Sequence, residues 1–186
     1  MTVKITVDKV LDIIKAVSEL AKKDVLIGIP DSAPGRADTP ITSAQIGYIM
    51  ETGSPSHNVP ARPFLIPGVQ EVQAECAERL KKGATAALGG SQSSAIAQLT
   101  AAGLIAERSV KAKINSNIAP ELSPETIRNR NKSRKTKSMR KSEKEYLKAV
   151  DSGTSAADAQ SAAGIVALVN TGQLRNSVTH VIRSKK

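Results

Sequence analysis

Two histidines and one cysteine are the only residues of their kind in this 186-residue sequence, namely His57, His180 and Cys76. Three such side chains cannot complete a structural zinc site of the usual Cys/His composition. His57 falls in a proline-rich loop and His180 in a β-branched stretch, so surface and strand-packing roles fit them best. Cys76 lies on the apolar stripe of a predicted helix and reads as a small buried hydrophobe. A single cysteine excludes an internal disulfide and suits a reducing compartment. Asp151-Ser-Gly-Thr154 has the local pattern of an aspartic-protease loop. That chemistry needs the aspartate on a turn after an apolar strand, facing a second carboxylate. Here the charged, helix-forming stretch 143–150 precedes it, and a helix end with a glycine stop explains it fully. No nucleophile elbow, phosphate-binding loop or dinucleotide fingerprint is present. The residues therefore point away from an enzyme and from any cofactor.

The stronger chemical signal is charge. The net charge of +10 is unevenly spread: residues 1–127 carry thirteen basic and thirteen acidic side chains, and residues 128–148 carry ten against two. Arg128, Arg130, Lys132, Arg134, Lys135, Lys137, Arg140 and Lys141 are so close together that every face of a helix or strand would be charged. Such a segment is expected to be extended until an anionic surface neutralises it. Nucleic-acid phosphates, met through counterion release, are one such surface. Acidic patches on a protein partner are another. No aromatic residue interrupts the run, so base stacking is not on offer.

These residues must be positioned by a scaffold with only three aromatics, Tyr48, Phe64 and Tyr146, and hence an aliphatic core. Apolar residues at Val7, Val10, Leu11, Ile14, Val17 and Ala21 recur at helical spacing. Residues 25–29 form a short apolar run closed by Pro30, the mark of a buried strand. Thr42-Ser-Ala-Gln45 fits a capping box, with Ile41 and Ile46 placed as a hydrophobic staple, and that helix stops at Gly53. Pro55, Pro60, Pro63 and Pro67 then bracket Phe64. Each proline fixes its own φ and biases its predecessor out of the helical region, so the stretch predicts a rigid, extended rim. Phe64 could face a partner or plug its own core, while Arg62 is expected to reach outward from its proline flanks.

Beyond the rim, a stripe at Val69, Val72, Cys76 and Leu80 and another from Ile96 to Ile114 predict two helices. Glycines at 83, 89 and 90 favour a hairpin over one long helix. Ser123 caps a short helix. Residues 152–164 are low in complexity and predict a mobile or weakly helical stretch. Residues 165–169 are apolar, 171–175 make a turn, and 177–183 alternate as a strand. Helices around few strands give an α+β fold, with a small, mostly antiparallel sheet. One domain over residues 1–186 is expected, with a basic insertion at about 128–164. No apolar run reaches the roughly 20 residues of a membrane span, and no secretory signal pattern opens the sequence.

Taken together, Gln45-Ile-Gly-Tyr-Ile-Met-Glu-Thr-Gly-Ser54 and Val59-Pro-Ala-Arg-Pro-Phe-Leu65 resemble the neck, tail-completion or head–tail connector proteins of long-tailed bacteriophages. Leu122-Ser-Pro-Glu-Thr-Ile-Arg-Asn-Arg130 and Leu168-Val-Asn-Thr-Gly-Gln-Leu-Arg-Asn-Ser-Val178 are similar to a second signature of those proteins. The likeness covers roughly residues 24–82 and 118–183. It departs from the family at Asn170, where an aspartate is common, and at 139–164, which reads as an insertion.

The resemblance implies a virion structural protein, assembled in the host cytoplasm, without enzymatic activity or cofactor. Its partners would be identical subunits in a ring and neighbouring neck, portal-side or tail proteins. DNA backbone in the lumen is a further candidate. The residues it marks for subunit or partner contact are Arg62, Pro63, Phe64, Thr171, Gly172, Gln173, Leu174 and Arg175. The eight basic residues of 128–141 are the candidates for DNA or an acidic partner. The alternative reading is a sequence-independent nucleic-acid-binding protein that uses segment 128–148.

Overall fold

The computed structural model describes residues 10–31, 40–130 and 138–185. In chain order the elements are α1 (Val10–Ala21), β1 (Lys23–Gly28), α2 (Ser43–Thr52), α3 (Leu65–Gln70), α4 (Gln73–Leu88), α5 (Gln92–Asn115), α6 (Pro124–Arg130), α7 (Lys141–Asp151), α8 (Ala156–Ala162), α9 (Gln173–Ser177) and β2 (Thr179–Ser184). A 3-10 turn at Pro55–His57 lies between α2 and α3. The described residues thus form a mostly helical α+β fold whose one sheet pairs β1 with β2 antiparallel.

The chain, expected as one domain, separates into two compact units, each drawn from segments distant in sequence. The first comprises Met1–Gly28, Val69–Ser109 and His180–Lys186. Its buried side chains are small: Ala87, Ala95, Leu99, Ala102 and Ala106. The expected hairpin is present, with α4 ending at Gly89 and α5 starting at Gln92. Gly83 sits inside α4, and a methyl group there would lie 3.3 Å from the Ala95 carbonyl and the Gln98 Cβ. The two helices therefore come close together at this position. α1 lies against α4, yet buries none of its residues.

The second unit comprises Ile29–Gly68 and Val110–Thr179. It holds the large side chains: Phe64, Ile114, Ile127 and Tyr146 are all at most 1% exposed. α2 begins as its sequence predicts, with Thr42 Oγ1 accepting the Gln45 N–H at 3.2 Å and the Gln45 side chain accepting the Thr42 N–H at 2.8 Å. α6 is likewise opened by Ser123, whose Oγ accepts the Thr126 N–H at 3.1 Å.

The expectation that the stretch 128–164 stays out of the core is corrected here. Tyr146 from α7 and Ala159 from α8 are buried in one cluster with Leu122, Ile127, Ile165 and Ala167. α7 exposes Lys141, Lys144 and Lys148 and buries Glu143 and Tyr146. Residues 156–162, expected to be mobile or weakly helical, form α8 with Gln160 wholly buried. Composition misled because alanine-rich sequence is also good helix sequence, given a surface to pack on.

Candidate functional site: the proline-rich rim and its clasps

The rim runs from the end of α2 to the start of α3. Gly53 closes α2 with φ +78°, and a methyl group there would lie 2.9 Å from the Ala61 nitrogen. Only glycine meets both conditions. One residue after Ala61, the Arg62 N–H donates to the Met50 carbonyl at 2.7 Å, tying the rim back onto α2. The Ser54 and Val59 backbones bridge antiparallel around the 3-10 turn. Exposed His57 shares its Nδ1 with the hydroxyls of Ser54 and Ser56.

Glu51 performs a task the sequence alone did not disclose. Its carboxylate accepts three successive backbone N–H groups at the start of α3: Phe64 at 2.7 Å, Leu65 at 2.8 Å and Ile66 at 3.0 Å. A helix start leaves such donors without partners inside the helix and carries partial positive charge. A glutamate in the last turn of α2 is thus the cap of α3, reached thirteen residues ahead. Its offset from any capping box hides it from pattern reading.

Arg62 corrects the expectation of an outward-reaching guanidinium. The residue is 6% exposed. Its Nε donates to the Pro120 carbonyl at 2.9 Å and its Nη2 to the Glu121 carbonyl at 3.2 Å. Burial lowers its pKa, and the nearby Glu121 charge partly offsets that effect. The same loop is gripped from the other side. Gln160 Oε1 accepts the Leu122 N–H at 2.7 Å, its Nε2 donates to Asn117, and the Tyr146 hydroxyl donates to the Leu122 carbonyl at 2.7 Å. Residues 117–122 are irregular backbone at the edge of a core, where each polar group needs a partner. Arg62, Tyr146 and Gln160 supply them.

Arg130 has a parallel role. Its guanidinium donates to the carbonyls of Val166, Ala167 and Val169, the irregular apolar run before the 171–175 turn. The side chain is therefore committed inside the second unit, because that buried segment has no strand partner for its carbonyls. Arg128 forms an exposed ion pair with Asp151 at 3.4 Å, and Lys141 one with Glu145 at 3.8 Å. Arg140 precedes α7, where its N–H is accepted by Glu143 at 2.9 Å. Lys132, Arg134, Lys135 and Lys137 lie outside the described residues.

The second signature meets the first through α2 and α9, which pack together. Gly172 opens α9 with φ +81°, and Arg175 Nη1 donates to the Asn115 side chain at 3.3 Å. Of the proposed contact residues, Phe64 (1% exposed) and Leu174 (6%) are core side chains, which removes them from any partner surface of the folded protomer. Pro63, Thr171 and Gln173 are exposed, as is the ring of Tyr48.

Elsewhere, His180 Nδ1 lies 2.6 Å from Glu107 Oε2 in the first unit. Cys76 donates weakly to the Ala102 carbonyl, and burial with the adjacent Glu75 charge pushes its thiol pKa up, which suits packing and not nucleophilic attack. Asp151 ends α7 just before Gly153 at φ +93°, the helix stop expected from sequence. Among the described residues, no group of three or more His, Cys, Asp and Glu side chains is placed to hold a metal ion, and no helix is long and apolar enough to cross a membrane. Comparisons with known protein families, curated proteins and solved structures returned no match.

Proposed function

We propose that this chain is a structural virion protein of a tailed phage, a subunit of a homo-oligomeric ring at the neck that completes the tail or joins it to the head. The observation that carries this reading is the mutual dependence of the two resembling signatures. Arg62 of the first holds the backbone of residues 120–121 at the threshold of the second. Glu51 of the first organises the start of α3. α2 and α9, one from each signature, pack together. Residues of the two resembling stretches thus have interlocking structural tasks here, as they should in a scaffold built for assembly. A ring subunit needs two different complementary surfaces, since its contacts run head to tail. Pro63 with Tyr48, and Thr171 with Gln173, are the exposed rim and turn positions suited to supply them.

Light scattering on the eluting purified chain, with electron microscopy of the same fractions, tests the reading. Closed rings of one stoichiometry are expected, together with the chain's presence in purified particles. A monomer at high concentration that never enters particles overturns it. A monomer that instead binds duplex DNA with a steep salt dependence would favour the nucleic-acid reading.

A further inference from the structure

Among the described residues, Arg62 makes no direct ion pair. Its hydrogen bonds to the Pro120 and Glu121 carbonyls occupy Nε and one N–H of Nη2. Among the described residues no carboxylate lies within ion-pair distance of it, although the residue is nine-tenths buried. Glu121 acts on it only through the longer-range field. A buried charge held only by neutral carbonyls is costly to keep. Among the described residues, the edge formed by Nη1 and the second N–H of Nη2 has no hydrogen-bond partner.

Arg62 also lines a cavity of about 410 Å³ that lies wholly within the second unit. Arg130 and Glu121 line it as well. Pro60 and Leu122 give it apolar wall, and Asn58 lines it too. A planar guanidinium edge beside apolar wall matches a carboxylate on an aliphatic stem. The dianionic form of phosphate fits less well, because Glu121 repels the second charge and the apolar wall goes unused.

We propose that this cavity is a carboxylate-binding site, with the free edge of Arg62 as its anchor. The carboxylate comes either from a small molecule or from an acidic side chain of a second copy of this chain. The site stands on its own geometry, whether or not the chain forms rings.

The test titrates ¹⁵N-labelled wild-type protein with glutarate, glutaramide and inorganic phosphate at one fixed ionic strength, following the Arg62 Nε–H resonance. One such contact corresponds to a dissociation constant of about 1–10 mM. Glutarate is expected to move the resonance saturably, glutaramide to leave it in place, and phosphate to bind more weakly than glutarate. Arg62→Lys keeps the charge but loses the two-pronged edge, so glutarate affinity should fall by about tenfold or more. Should that variant fail to fold, the wild-type titration decides alone. An Arg62 signal indifferent to glutarate, or moved equally by glutaramide, overturns the site; phosphate binding as well as glutarate overturns its carboxylate preference. A dilution series by light scattering separates the sources. Self-association dispersed by glutarate identifies the second copy, and glutarate binding without any change in mass identifies a free small molecule.

Discussion

Tyr146, Phe64, Ile114 and Ile127 are sealed inside the second unit, whereas α1, the helix of the first unit richest in large aliphatics, seals none. Val10, Leu11, Ile14 and Val17 are between 46% and 76% exposed, and among the described residues the first unit's buried hydrophobics are four alanines and one leucine. A fully buried Val, Leu, Ile or Phe side chain contributes about 1.5–3 kcal/mol, and an alanine far less. The two units therefore rest on different physics. The second combines large-residue burial with polar clasps on irregular backbone. The first relies on close packing of small residues along two helices, where little apolar area is removed from water. Similar shares of apolar sequence can thus yield cores of very different strength, depending on which residues turn inward.

Substitutions can break or sharpen this contrast. The largest effect is expected from Tyr146→Ala, which removes a wholly buried aromatic from the second unit and frees the Leu122 carbonyl. A loss of about 3–5 kcal/mol should appear in urea unfolding monitored by circular dichroism. Glu51→Gln keeps the shape but removes the charge that three N–H groups share, at a cost of about 1.5–3 kcal/mol in the same assay. In the first unit, Gly103→Ala would set a methyl 2.4 Å from the His180 ring. The ring must move from Glu107, and a net loss of about 1 kcal/mol is expected after the gain in helix propensity.

A pH series adds a further handle. Burial raises the Tyr146 hydroxyl above its usual value of 10.0, an effect that Glu121 adds to and Arg128 opposes. The folded state thus disfavours the ionised phenol. Stability from this group is full below about pH 10, where the unfolded chain would ionise, and is lost as pH climbs beyond that. Tyr146→Phe should flatten that alkaline decline. The smallest effect belongs to Leu11→Ser on the exposed face of α1, within about 0.5 kcal/mol. A loss of several kcal/mol there would show that α1 is buried in the working protein and would end the contrast drawn above.

Much of this was legible in the sequence where local chemistry decides. The capping box at Thr42, the hairpin at Gly89–Gly90 and the glycine stop after Asp151 all depend on near neighbours; the strand expected at 25–29 forms as β1 over Lys23–Gly28, though it is only partly buried. What escaped depends on partners far along the chain. Glu51 looks like a surface residue until α3 folds back onto it, and Arg62 looks outward until residues 120–121 arrive beneath it. Arg130 sits in a basic run, yet its side chain answers carbonyls some forty residues later. Tyr146 and Gln160 belong to a stretch whose composition reads as solvated. Their value appears only with the loop at Leu122 in place. The exposed α1 face was missed for the opposite reason, because helical periodicity reports an apolar stripe but not whether anything covers it.

The sheet has a consequence for the order in which the molecule is made. β1 ends at Gly28 and its only described neighbour, β2, starts at Thr179. Closing so long a loop costs entropy before any ladder bond forms. During translation β1 must wait, unpaired, until the ribosome has released residues some 150 positions later. The second unit, whose two segments end at Gly68 and Thr179, can begin to consolidate around α2 and α3 in the meantime. A nascent chain arrested before residue 179 would therefore expose a bare strand edge, an invitation to pair with its neighbours on the polysome.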